Sequence, residues 1–543
     1  MGTDNRKGTW LPLWISIGIA IGIFIGSKYG RFSIPGSLDG SGKINAVLNY
    51  IQESYVDTIN TYRLVEDALP NIIHELDPHS EYISAADMKR VNESMEGHFS
   101  GIGVSFYILK DTIVVTSIVP GGPSEAAGIM PWDRIVMVDD SVVAGNKMQN
   151  EDVQRVLQGE SGTEVKLGIL SNGGNIVHDI IVTRGEIPVN SVNAAYMLTD
   201  RIGFIKLGVN FGFNTFSEFI SAISKLKSTG AESFIIDLRG NAGGSLDVVV
   251  AMVNEFLQKA DLIVYTEGRN FPRTDNYANG SGTCKDDDIV VLIDELSASA
   301  SEIFAGAIQD HDRGLIIGRR SFGKGLVQSQ RNFPDGSALR LTVARYYTAS
   351  GRSIQRVYEK GRYNEYEMDA INRYIQGDYV NIDTLKNLTP FQTLGGRTVY
   401  GGDGIMPDIF ISRDTTGYNS YYNSVVNRRL DEEYAMMYSD MHKEKLSSFE
   451  TWRDLYNYLR QQPLLLNLVS HADNNGIRRR PYYIQESGDL FENNMIAYIV
   501  RNFFGEEAFW ASYYREDPLL HKGVELIETE KTTKANILKE EYK

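Results

Sequence analysis

The chain has 543 residues, 42% hydrophobic and 23% charged, which is the composition of a folded protein and excludes a disordered one. A length of this size calls for about three or four domains. The formal net charge of −16 excludes a general nucleic-acid binder, because a polyanion is held by a basic surface. The single cysteine, Cys284, allows no internal disulfide and leaves the redox compartment open.

At the N-terminus Arg6 and Lys7 precede an apolar run from Trp10 to Gly26, and Lys28 and Arg31 follow it. The run has about the length of a bilayer span. It exceeds a signal-peptide core, and no Ala-x-Ala site follows. It reads as an uncleaved single-pass anchor in the cell inner membrane, with the body of the chain in the periplasm. A cleaved signal peptide is the alternative, and it too exports the body. Pro35 to Gly42 reads as a Gly/Ser-rich linker.

From Lys43 to about Glu96 the apolar positions Ile44, Val47, Leu48 and Ile51, then Leu64, Ala68, Ile72 and Ile73, recur at helical spacing. Asp77-Pro78-His79-Ser80 interrupts them as a turn. From Gly97 to Pro188 short strands alternate with turns. The β-branched run Thr112 to Ile118 leads into Pro120-Gly121-Gly122-Pro123. Asn150 to Leu157 fits a helix capped by Asn150, and a hairpin is expected around Asn172-Gly173-Gly174. This is a compact β module of ordinary domain size.

From Val189 the rhythm becomes strand, helix, strand. Thr215 and Glu218 read as a capping box ahead of the apolar face Phe216, Phe219, Ile220, Ile223 and Leu226. Phe234 to Leu238, Ile289 to Asp294 and Leu315 to Gly318 read as buried strands. The helices are Leu246 to Leu257 and Ser299 to Gln309, and Leu339, Leu341 and Val343 mark a last strand. The alternation predicts an α/β domain with a largely parallel sheet. After Arg413 tyrosines and charges are dense, helical patches such as Trp452 to Leu459 appear, and Glu528 to Lys543 is expected to fray.

Three stretches of the α/β domain carry chemistry. Ser299 lies in Ser297-Ala298-Ser299-Ala300-Ser301-Glu302, at the carboxyl end of a strand where α/β folds place ligands. By itself the serine run also fits an N-cap cluster. Lys324 lies in Gly323-Lys324-Gly325 beside Phe322, Leu326 and Val327. Burial would push its amine toward the neutral form that a base requires, and a surface lysine in a glycine turn is the plain alternative. Asp237-Leu238-Arg239-Gly240-Asn241-Ala242-Gly243-Gly244-Ser245 closes a strand with glycines whose N–H groups can face a ligand, or it is a simple connecting loop.

Gly318 to Lys324 also satisfies G-x-x-x-x-G-K, the start of a phosphate-binding loop. Gly325 stands where that motif needs Ser or Thr, and an extended segment follows in place of a helix. His311 falls at the far end of the helix from Ser299, too distant for a serine–histidine pair. In the β module, Gly101-Ile102-Gly103-Val104 suits a loop whose amides capture a terminal carboxylate beside a strand edge.

Taken together, these stretches resemble the carboxyl-terminal processing, or tail-specific, proteases, exported serine peptidases with a Ser-Lys site and an inserted PDZ domain. The resemblance runs from about Leu76 to Asp408. It includes Leu76 to Ser80, Gly101 to Val104, Pro123 to Ile135, Asp237 to Arg239, Ser297 to Glu302, Phe322 to Gly325, Tyr347 to Gln355 and Gly401 to Asp408. It implies Ser299 as nucleophile, Lys324 as general base and Gln328 as the residue that orients the lysine. It implies an oxyanion hole from the N–H groups of Gly244 and Ala300, and a PDZ loop at Gly101, Ile102, Gly103 and Val104 that binds substrate C-termini. No metal or other cofactor is expected, the partners are protein or peptide substrates and the membrane, and the sequence allows a homodimer without fixing one. Pro131-Trp132-Asp133 departs from the Gly-Asp pair usual in such PDZ modules. The expected organisation is an anchor over 1–30, a helical segment over 31–96, PDZ over 97–188, a Ser-Lys peptidase core over 189–412, and a mostly helical extension of unknown role over 413–543. A PDZ scaffold without catalysis, and a nucleotide-binding protein, are the rival readings from other classes.

Overall fold

The structure is a computed structural model that describes residues 16–21, 40–171, 174–359, 361–376, 388–532 and 534–537. The chain divides into two units, 1–72 and 73–543.

The first unit holds a helical stretch over 16–21, the helix Gly40–Ser54 and most of the helix Thr61–His74, and neither longer helix buries a residue. The expected membrane anchor is not upheld. No helix among the described residues is long and apolar enough to cross a membrane. Of the run Trp10 to Gly26 only 16–21 is described, about 9 Å of helix at 1.5 Å per residue against a hydrocarbon core of about 30 Å. The other residues of that run lie outside the described ones, and the inner-membrane localisation is withdrawn with the anchor. The expected linker ends earlier than Gly42, because Gly40 already begins a helix.

In the second unit a six-stranded sheet carries the strands in the order Val192–Met197, Ile202–Leu207, Ser233–Asp237, Asp288–Ile293, Leu315–Gly318 and Ile409–Phe410. The first pair is antiparallel and the rest are parallel. Successive residues of a strand point to opposite faces, and here both faces are apolar. Ile205, Ile236, Val291 and Ile316 pack toward the helices Thr215–Ser228, Leu246–Asn254 and Ala300–Asp310. Phe204, Ile235, Val290 and Ile317 pack against Leu519, Leu520, Leu526 and Ile527 from the far C-terminus. A second, antiparallel sheet joins Glu81–Ile83, Ala338–Thr348, Leu262–Gly268 and Phe271–Tyr277, and Leu326–Asn332 pairs with Ala338–Thr348.

The β module stands on a two-stranded stem, His98–Gly101 paired with Gly185–Pro188. Its sheet runs Val104–Leu109, Thr112–Ile118, Arg134–Val138, Glu164–Leu170 and Val177–Thr183. Of the expected turn Asn172-Gly173-Gly174, the first two residues lie outside the described ones. Two expected caps differ. Asn150 is the first helical residue, and Gln149 caps the helix while the Asp152 carboxylate accepts the Gln149 N–H at 3.1 Å. Asn214, not Thr215, occupies the N-cap of its helix, and Glu218 instead accepts the Ser191 and Val192 N–H groups at 2.7 and 3.0 Å.

Past residue 413 the chain is helical. Ser420–Val426, Leu430–Met441, Trp452–Leu459, Leu464–Asn474 and Pro481–Tyr513 enclose a core of their own around Tyr421, Leu455, Leu468 and Phe491. The long last helix breaks at Gly505, where φ is 80° and ψ is −173°. The expected fraying from Glu528 is not seen at the described residues Thr532 and Ile537, which are fully buried, and 538–543 lie outside the described ones.

Candidate active site

Three serines crowd the turn between the strand Asp288–Ile293 and the helix Ala300–Asp310, and the fold separates them. Ser297 Oγ donates to the Leu238 carbonyl at 2.8 Å and Ser301 Oγ to Asn241 Oδ1 at 2.6 Å, and both are fully buried. Ser299 is half-buried and lines a cavity of about 840 Å³. Its backbone has φ 56° and ψ −116°. A non-glycine residue holds such a conformation only when its surroundings enforce it, and strand-to-helix turns of this kind project a side chain outward.

Two buried residues enforce it. The Glu302 carboxylate accepts the N–H groups of Ser299 at 2.8 Å, Lys324 at 2.9 Å and Gly323 at 2.7 Å, and also the Ser321 hydroxyl. Burial raises the Glu302 pKa, against the pull of those donors. The Tyr346 hydroxyl reaches the Ser299 carbonyl at 3.0 Å and the Lys324 carbonyl as well. One carboxylate and one phenol thereby tie the backbone of the serine to the backbone of the lysine. Neither residue was singled out from the sequence. The Ser299-x-x-Glu302 spacing was the available signal for the first, and Tyr346 leaves none.

Lys324 lines the same cavity. Burial is the main cause that lowers its pKa from the ordinary lysine value, and the Arg340 charge adds to it, while Glu302, Asp77 and Glu81 oppose. Its Nζ donates to Gln328 Oε1 at 3.1 Å. The Gln328 Nε2 donates to the His79 carbonyl, which fixes the amide with its oxygen toward the lysine. The His79 carbonyl is set in turn by the Asp77 turn, where one carboxylate oxygen accepts the His79 and Ser80 N–H groups at 2.8 Å each. The His79 ring packs edge-on against Tyr366, and burial with the Lys324 charge lowers its pKa to about 3. After Gly325 the chain enters the strand Leu326–Asn332, so no helix N-terminus follows the glycine-rich turn as a phosphate-binding loop requires.

Gly243 and Gly244 line the cavity opposite the helix start. A Cβ on Gly243 would lie 2.6 Å from the Ala298 oxygen and from the Ala300 nitrogen, and one on Gly244 would lie 2.2 Å from the Phe211 oxygen. Only glycine permits this approach. Asn241 holds the loop by accepting the Gly243 N–H at 2.9 Å. The Gly244 and Ala300 N–H groups have no protein acceptor among the described residues. Leu246, Ile303, Val327, Met95 and Phe213 supply apolar walls.

The loop Gly101 to Val104 forms one end of a second cavity of about 400 Å³, closed by Leu157, Gln154 and Glu93. Its carbonyls turn inward, Ile102 O accepting the Ser124 N–H at 3.0 Å and Gly103 O the Val119 N–H at 2.9 Å. The strand Val104–Leu109 lies at the edge of its sheet among the described residues, open to an added strand. Among those residues no group of three or more His, Cys, Asp or Glu could hold a metal ion.

Residues 201–360 match the peptidase family S41, residues 114–170 match a PDZ domain, and residues 421–505 match a family of unknown function, DUF8443. A carboxy-terminal-processing protease of Bartonella bacilliformis is 37% identical over 57% of this chain and 71% of its own length. The chain belongs to the S41 peptidases. A probable CtpA-like serine protease of Staphylococcus haemolyticus is 37% identical over 58% of this chain, which spans 62% of that relative's length. Among solved structures, the photosystem II D1 C-terminal processing protease is 27% identical, covering 57% of this chain and 89% of that one with a TM-score of 0.31.

Proposed function

We propose that the chain is a serine endopeptidase of the carboxyl-terminal processing type, with Ser299 as nucleophile and Lys324 as general base. The observation that carries this reading is the Lys324–Gln328–His79 relay, which holds a desolvated amine in the cavity that Ser299 lines. A neutral Lys324 takes the Ser299 proton as the Oγ attacks the scissile carbonyl. The Gly244 and Ala300 N–H groups, without a protein acceptor among the described residues, stabilise the oxyanion. The lysine ammonium then protonates the leaving amine, and water releases the acyl-enzyme. The apolar walls favour a small or apolar side chain at the bond that is cut. A substrate C-terminus sits in the Gly101–Val104 loop and adds a strand beside Val104–Leu109.

The test is a peptide with a free C-terminus, incubated with the full chain and with Ser299→Ala and Lys324→Ala and followed by mass spectrometry. Cleavage by the wild type that both variants abolish is the expected result. Equal cleavage by Ser299→Ala would refute the assignment, and a wild type that binds the tail without cutting would favour a PDZ scaffold.

A further inference from the structure

Trp132 has φ 75°. A side chain in the left-handed region is strained, and the packing around this one holds it there. The indole is 4% exposed, although it lies on the outer face of the PDZ sheet. It packs with Leu109 and Val114 of that sheet against Met436, and its ring centroid is 5.6 Å from that of Phe503. Lys443 Nζ stands 5.5 Å from the ring. At the margin Arg134 Nη2 meets Asp440 Oδ2 at 2.8 Å. Met436, Asp440, Lys443 and Phe503 all belong to the C-terminal helical body. The patch of the outer sheet face around Leu109 and Val114 is therefore covered, while Val177 and Ile181 on the far strand stay exposed.

The same helical body is fixed to the peptidase core. Glu507 pairs with Lys225 at 2.8 Å, Asp517 pairs with Arg239 at 2.7 Å, and Tyr514 packs edge-on against Phe204. Phe503 and Glu507 flank the Gly505 break, so one helix grips the PDZ module on one side of the break and the core on the other. The PDZ module is joined to the core through the two-stranded stem His98–Gly101 and Gly185–Pro188, and a two-stranded ribbon alone is a weak constraint.

We propose that the C-terminal helical body is a brace that holds the PDZ module in one orientation relative to the core, with Trp132 as its pin, so that a docked tail is cut at a set distance from its end. The cutting clause rests on the protease reading above, whereas the docking clause does not. Glycine at position 132 would relieve the backbone strain and lose the pin, which is the opposite balance to the one this sequence adopts.

The test uses the full chain with spin labels on Ser141→Cys in the PDZ module and Ser228→Cys in the core, both exposed positions. Cys284 is fully buried, and burial raises its thiol pKa to about 12, so it does not compete for label. A single narrow inter-label distance is expected for the wild type. Trp132→Gly broadens it, Arg134→Asp and Asp440→Arg each broaden it, and the Arg134→Asp/Asp440→Arg pair narrows it again. Mass spectrometry of a peptide cut by the same proteins gives one dominant product for the wild type and for the charge-reversed pair, and scattered products for the single variants. A broad distance in the wild type, or a narrow one in every variant, overturns the brace. So does a single unchanged product from all the variants. A wild type that cuts nothing overturns the protease reading alone, and the label distances still decide the brace.

Discussion

At the scale of single residues the proposed mechanism depends on keeping one amine neutral and aimed. Lys324 is held below the ordinary lysine pKa chiefly by burial. In the proposed mechanism it acts as a base only when deprotonated, so kcat/KM is expected to rise with pH through its folded pKa. Gln328→Glu places a carboxylate against the amine, favours the ammonium and moves that rise to higher pH, which a pH–rate profile measures. Gln328→Ala removes an orienting hydrogen bond of about 0.5–1.5 kcal/mol, and kcat falls roughly 2- to 10-fold. The linkage also has a sign. The unfolded chain binds a proton at Lys324 that the folded chain does not, so the lysine lowers stability below its ordinary pKa, and stability recovers as pH rises from the folded pKa toward that value. Lys324→Met removes the penalty, so at neutral pH the variant should melt at a higher temperature than the wild type while losing turnover. A lower Tm would show that the lysine is not desolvated in the fold.

At the scale of elements the site is a turn and two loops clamped to one another. Glu302 satisfies four donors with two oxygens. Glu302→Gln turns an amide NH2 donor toward one pair of them, leaving buried N–H or O–H groups unpaired at about 1–3 kcal/mol each. Calorimetry should show the lower Tm, and turnover should fall with little change in KM, because the loss is of alignment and not of substrate contacts. Tyr346→Phe frees the two carbonyls it bridges and should cost less, about 1–2 kcal/mol. This clamping was only partly legible in the sequence. The strands Ser233–Asp237, Asp288–Ile293 and Leu315–Gly318 could be read because β-branched runs buried on both faces have no polar alternation to mislead. The strand Phe271–Tyr277 could not, because it is mostly exposed and polar and its pairing with Leu262–Gly268 decides its conformation. The choice among Ser297, Ser299 and Ser301 came from resemblance. Its physical basis is burial of the outer two, which only the tertiary contacts with Leu238 and Asn241 reveal.

At the scale of the whole molecule the extension past residue 413 is bound to the catalytic fold more closely than its separate composition suggests. The rear face of the central sheet presents Phe204, Ile235, Val290, Leu292, Leu315 and Ile317, and the side chains that cover it come from Leu519, Leu520, Leu526 and Ile527. Arg239, beside the active-site loop, stacks on Tyr514 and pairs with Asp517, whose carboxylate also caps the helix Pro518–Glu528. Removing everything after residue 412 would expose that sheet face, and burial of one large apolar side chain contributes about 1.5–3 kcal/mol. A fragment over 73–412 should therefore be insoluble or unfolded, although it contains Ser299, Lys324, Gln328 and the whole match to the peptidase family. Asp517→Ala is the gentler form of the experiment. It removes a helix cap worth about 1 kcal/mol and leaves the buried Arg239 guanidinium with Asp237 as its remaining carboxylate partner. The variant should stay folded with a lower Tm, and its C-terminal helices should exchange amide hydrogens faster than the wild type. A soluble fragment over 73–412 with native circular dichroism would show instead that the sheet stands without its C-terminal cover.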